Sequence, residues 1–255
     1  MTFQSAGTPP APPVAAAPTK NFFERLVGAL FAPGETFEDI ARKPDFLVPI
    51  LFFVLIGYAA VFVIVPLIDY DAMFAQQEET IRKRNPNVSS ADIAQMNRVG
   101  KAFARGAFYV SPVLQIGIFA LIALILWGAF RLMGGDGRYP QAFSATLYAW
   151  VPQVIKSIAG AIVAKAQGSL NPETMAALVK SNPAFLVDFK EQPVLFTLLS
   201  TLDVFTIWSI ILFVFGFAAI SRFSRAKSAA IIITLWVIVT MVRIGFAAVT
   251  AGMNG

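Results

Sequence analysis

Residues 108–133 read FYVSPVLQIGIFALIALILWGAFRLM, and the one charge in them, Arg131, sits near the end. About 20 apolar residues in a helix cross the roughly 30 Å of hydrocarbon in a bilayer, so this stretch is long enough to span it. Four more runs have the same character, at 46–68, 143–166, 194–220 and 229–250. Lipid tolerates only helices and closed barrels as spanning structures, and none of the five runs alternates as barrel strands do. The chain is therefore expected to be an all-α polytopic membrane protein with five transmembrane helices. Pro49, Pro66, Pro112 and Pro152 fall within or near the ends of these spans, which predicts kinks.

The composition agrees. The 255 residues are 57% hydrophobic and 14% charged, against about 25% charged in an ordinary soluble domain. Mean hydropathy is +0.68. There is no Cys and no His. Their absence excludes disulfides, thiol nucleophiles, iron–sulfur clusters, imidazole acid–base chemistry and His-ligated metals. No enzyme activity, catalytic residue, cofactor or metal is expected. A net charge of +5 would suggest nucleic acid in a soluble protein, but here basic loops beside anionic lipid account for it. The bilayer is the expected partner, and nucleic acid is not.

Outward from the spans, residues 1–19 are rich in Pro and Ala with almost no charge, a composition that predicts a disordered tail. Residues 20–45 turn amphipathic. Phe22, Phe23, Leu26, Leu30 and Phe31 repeat at helical spacing, Pro33-Gly34 breaks the helix, and Phe37, Ile40 and Ala41 mark one side of a second. Both are expected at the membrane interface, with aromatic side chains down and Glu24, Arg25, Glu38, Asp39 and Arg42 outward. The segment after span one predicts two helices, 72–84 and about 90–107, the second capped by Ser89 or Ser90. After span three, Asn171-Pro172-Glu173 predicts another helix start. Gly134-Gly135-Asp136-Gly137 reads as a tight turn, since it lacks the Gly-Lys-Ser/Thr ending of a phosphate loop.

Lys and Arg divide evenly between the two sides of the membrane, so their number does not fix the orientation. The short connections at 134–142 and 221–228 are basic, while 69–107 is compensated by Asp69, Asp71, Glu78, Glu79 and Asp92. Short loops carry the bias, which places the N-terminus in the cytoplasm and the C-terminus outside.

Three ionisable residues fall inside predicted spans: Lys156, Asp203 and Arg243. A helical rise of 1.5 Å puts them about 15, 14 and 10 Å from one face, with Gln115 at a similar depth. An intramembrane charge is costly and usually pairs, so Asp203 is expected to pair with Arg243 or Lys156, with Gln115 and Gln153 as further polar lining. Such a layer could be a binding cavity for an ion, a proton or a lipid head group, or a clamp between spans. In span three, Ser157/Ala161 and Gly160/Ala164 suit close helix packing.

Several stretches resemble the Yip (Ypt-interacting protein) family of five-span membrane proteins, especially its bacterial members. They are Phe31-Ala32-Pro33-Gly34-Glu35-Thr36-Phe37-Glu38-Asp39-Ile40, Leu132-Met133-Gly134-Gly135-Asp136-Gly137, Gln141-Ala142-Phe143-Ser144 and Tyr148-Ala149-Trp150-Val151-Pro152. Leu202-Asp203-Val204-Phe205-Thr206-Ile207-Trp208 and Ser224-Arg225-Ala226-Lys227 are similar as well. The resemblance covers about residues 22–250. It implies five spans and a cytoplasmic N-terminus, in a bacterial cytoplasmic membrane. Eukaryotic relatives act in vesicle traffic and contact Rab-type GTPases, but their Asp-Leu-Tyr-Gly-Pro type segment is missing here, so no Rab partner is expected. The leading expectation is a scaffold for membrane-protein partners or for further copies of itself. The alternative is a small permease, or an accessory subunit of one, using the Lys156–Asp203–Arg243 layer.

Overall fold

Two short helices open the structure and lie across one end of a bundle. They are α1 (Phe22–Phe31) and α2 (Pro33–Arg42). The chain then runs through α3 (Leu47–Ile64), α4 (Tyr70–Arg84), α5 (Ser90–Leu132), α6 (Tyr139–Ala149), α7 (Val151–Gln167), α8 (Pro193–Ser200), α9 (Val204–Ser221) and α10 (Arg225–Asn254). This computed structural model describes residues 19–171, 175, 178–188 and 191–254. Residues 1–18, where a disordered tail is expected, and the helix start at Pro172-Glu173 lie outside the described residues. Five helical stretches are long and apolar enough to cross a membrane: Leu47–Leu67, Ser90–Leu132, Tyr139–Gln167, Val204–Ser221 and Arg225–Thr250. No strand occurs among the described residues. A single parallel bridge between Ile68 and Leu170 ties the ends of spans one and three.

Local chemistry sets the element boundaries. Asn21 and Glu24 form a reciprocal capping box on α1, and Pro33 occupies the first turn of α2, where no donor is needed. Ser89 accepts from the Asp92 amide and starts α5. Gly168 closes α7 with φ +77°, a left-handed cap that glycine adopts without a Cβ penalty. The predicted proline kinks are fewer than expected. Pro49 and Pro152 sit in first turns and Pro66 in a 3-10 turn, so among the described residues only Pro112 lies inside a helix. Opposite it, a Cβ on Gly57 would stand 2.9 Å from Pro112 Cβ, so glycine is what lets spans one and two touch. Gly57→Leu is expected to force them apart and cost about 1–3 kcal/mol, read as a lower unfolding midpoint in detergent.

Three expected boundaries move. The helix predicted at 90–107 does not end before span two, because α5 is one helix of 43 residues. At about 1.5 Å per residue it is roughly 64 Å long, twice the hydrocarbon thickness, and its first half extends beyond the membrane. Span three is interrupted at Trp150 by the change from α6 to α7. The run 194–220 is two helices, α8 and α9, separated by Thr201-Leu202-Asp203.

The core sits at the α1–α2 end. Phe37 and Ile40 on α2 are fully buried against α6 and α9, beside Phe130, Tyr148 and Phe217. Fully burying such a side chain stabilises by about 1.5–3 kcal/mol. The apolar face of α2 is therefore turned to protein rather than to lipid. On α1, by contrast, Phe23 and Phe31 remain exposed. At the other end α4 folds back on the start of α5. Phe74 packs over Gly100, Lys101 pairs with Asp71, and Arg105 stacks on the Tyr70 ring at 4.7 Å.

Candidate functional site

The α8–α9 break decides the chemistry of the predicted polar layer. Asp203 is the residue before α9, and its carboxylate accepts from the Thr206 amide at 3.1 Å. It is thus an N-cap rather than a residue deep in a continuous span, and the depth of about 14 Å does not apply to it. Lys156 Nζ donates to Asp203 Oδ2 at 2.8 Å, and the Ser181 hydroxyl hydrogen-bonds the same oxygen. Thr206 Oγ1 lies 3.4 Å from the other oxygen and from Gln153 Nε2. Asp203 is 1% exposed, and both of its carboxylate oxygens accept hydrogen bonds. Charge-assisted bonds to an ammonium, a hydroxyl and a helix N-terminus together form a tight clamp between spans three and four.

Arg243 is elsewhere. It is exposed on α10 and forms no ion pair among the described residues. The two-base layer expected from depth alone is therefore one base and one acid. Gln115 and Gln153 line a cavity of about 460 Å³ between spans one, two and three, walled by Phe53, Val61 and Phe119 among others. Lys156 and Asp203 are not part of its lining. A Cβ on Gly160 would meet Val179 and Leu178 only at ordinary contact distance, while Ser157 and Ala161 face a groove shared with span one.

A second buried polar cluster was not expected at all. Arg25, on α1, is 2% exposed and holds two carboxylates. Its Nη2 lies 2.8 Å from Asp39 Oδ2 and its Nη1 2.5 Å from Asp45 Oδ1. The Tyr148 hydroxyl donates to Asp45 Oδ2 at 3.0 Å, and Ser144 Oγ donates to the Asp45 carbonyl at 2.6 Å. Gln141 Nε2 donates to the Ala41 carbonyl at 2.5 Å. Burial disfavours the Arg25 charge, but Asp45 and Asp39 outweigh it and hold the guanidinium above its ordinary pKa. This network pins α1 and α2 to α6, so Arg25 and Asp39 point inward, against the expected outward charged face.

Residues 27–246 match the Yip1 domain. The chain belongs to the Yip1 domain family. No curated protein and no solved structure matches it. Within the Yip1 domain lie Asp39, Asp45, Tyr148, Lys156 and Asp203, while Arg25 stands just before its first matched residue. Among the described residues of this Yip1 protein there is no group of three metal-type side chains.

The sequence held a signal for one of the two clusters. Asp203 followed three residues later by Thr206 is a capping pattern inside an apolar run. Arg25, Asp39 and Asp45 carry no such local mark. Their burial depends on what covers the outer side of α1 and α2, which helical periodicity cannot show.

Proposed function

We propose that this Yip1-domain protein is a non-enzymatic scaffold of the bacterial cytoplasmic membrane that organises membrane-protein partners or further copies of itself. The carrying observation is α5, a single helix that joins an extramembrane hairpin with α4 to the full thickness of the bundle. The hairpin is braced: Phe74 over Gly100, Lys101 with Asp71, and Asn97 Nδ2 to Glu78 Oε2 at 3.3 Å. A partner seated there would be coupled rigidly to span two. Neither a Rab-type GTPase nor nucleic acid is part of this reading. Arg131, Arg138, Arg222, Arg225 and Lys227 gather at the α1–α2 end, which supports a cytoplasmic N-terminus and an outer C-terminus. The separation of the Lys156–Asp203 pair from the cavity lined by Gln115 and Gln153 supports the scaffold over the permease alternative.

A photo-crosslinking residue at exposed Met96 tests the scaffold in native membranes. A discrete adduct is expected, lost in Gly100→Leu because the new side chain pushes Phe74 and α4 away. Proteoliposomes showing proton or ion flux that vanishes in Asp203→Asn would overturn the reading in favour of the permease.

The hairpin should also loosen in acid. Lys101 holds the Asp71 carboxyl below its ordinary value of 3.8. A depressed folded pKa contributes stability that is present above the unfolded value and is lost as pH falls through the folded one. Amide protection factors in 70–105, corrected for the intrinsic pH dependence of exchange, are therefore expected to hold from neutral pH down to about 4.5 and to fall only below the unfolded value.

A further inference from the structure

The cavity between spans one, two and three has a polar lining that the protein leaves unused. Gln115 and Ser157 form no hydrogen bond among the described residues, and Gln153 has only its 3.4 Å contact with Thr206. Its lining runs from Phe53 and Gly57, halfway along Leu47–Leu67, to Val65 and Leu170 at the end of spans one and three, so the space occupies the half of the bundle away from α1 and α2. A carboxamide without a partner is costly there. An occupant carrying its own hydrogen-bonding group would satisfy it.

Two features define that occupant. No ionisable side chain lines the cavity, since Lys156 is turned to Asp203, so a charged head would meet no counter-charge there. Carboxamides and a hydroxyl can both donate and accept, which suits an uncharged hydroxyl or carbonyl. The cavity also opens sideways. Ile56, Ala60 and Ser157 belong both to it and to a groove of about 710 Å³ between spans one and three, apolar except for Ser157 and for Lys165 at the end beside Pro66 and Leu67. A hydrocarbon chain fits that groove, and a molecule dissolved in the bilayer could enter through it without crossing water.

We propose that the cavity and groove together bind one neutral lipid, its uncharged head on Gln115, Gln153 and Ser157 and its chain between spans one and three. The binding is independent of the scaffold role and of the Lys156–Asp203 clamp. Trp150 lines the cavity and is a built-in reporter.

The test uses the full chain in lipid nanodiscs titrated with 9,10-dibromostearoyl monoacylglycerol, whose bromines quench tryptophan. A saturable component of quenching is expected, absent in Trp150→Phe. Gln115→Leu should weaken the affinity about fivefold or more, on the order of one lost hydrogen bond. Ala60→Leu, which fills the passage between groove and cavity, should abolish the component. Dibromostearate, ionised at alkaline pH, should bind at least about tenfold more weakly, because no counter-charge stands beside Gln115, Gln153 and Ser157, while Lys165 lies at the end of the groove. Quenching that rises linearly with probe content, that ignores both substitutions, or that favours the carboxylate would overturn the proposal. If a variant does not fold, the neutral and ionised heads compared on the unaltered chain decide alone.

Discussion

Lys156→Met is expected to destabilise the protein by about 3 kcal/mol, whereas Asp203→Asn should cost only about 1. The asymmetry follows from burial. The Asp203 side chain is 1% exposed, so removing its ammonium partner leaves an unpaired anion inside the protein. The Lys156 side chain is 30% exposed and can move its charge towards water when the acid is removed. Asparagine is moreover as good an N-cap as aspartate, so α9 keeps its start. The double variant should recover most of the loss of Lys156→Met, because no buried charge is left alone. Thermal unfolding in detergent of the three variants measures all of this. Equal losses in both single variants, or none in Lys156→Met, would show that the pair is not a buried clamp.

The second large effect is at the other end. Arg25→Met leaves Asp39, 1% exposed, with only a 3.5 Å contact to Arg42 and the Lys20 amide at 3.2 Å, at a cost of about 3 kcal/mol. The loss should be local before it is global. With Arg25 gone, α1 loses its ionic tie to Asp39 and Asp45, and trypsin should cut after Arg42 while the spans stay folded. Tyr148→Phe removes one hydrogen bond to Asp45 and should cost about 1 kcal/mol, with α1–α2 still protected. Protection of Arg42 in Arg25→Met would show that apolar packing, not the ion network, fixes these helices.

The spans were legible because hydrocarbon imposes one requirement, length without charge, and 108–133 or 229–250 meet it unaided. The break at Thr201-Leu202-Asp203 was not legible by the same measure. Apolar residues flank it on both sides, so hydropathy runs straight through, and only the capping geometry of Asp203 and Thr206 marks it. That one break moves Asp203 from a deep position to a helix end and removes Arg243 from its company, since the shared depth came from counting through a helix that stops. The pairing of Lys156 with Asp203 needed no exact depth, because an acid this buried must find the base that can reach it. Arg25 and Asp39 show a different limit. Their spacing gives each a polar face on its own helix, and which face meets the bundle is settled by Tyr148 and Ser144, more than a hundred residues away in the chain.

The length of α5 has a mechanical meaning. Among the described residues the shaft has no glycine break or loop between the hairpin and Leu132, and its one proline is wedged against Gly57. Thicker or thinner lipid changes the tilt of a membrane helix. With about 34 Å of shaft standing clear of the bilayer, a lean of about 10° would sweep its tip by roughly 6 Å relative to the membrane surface. The hairpin is in effect the needle of a gauge whose pivot lies in the lipid.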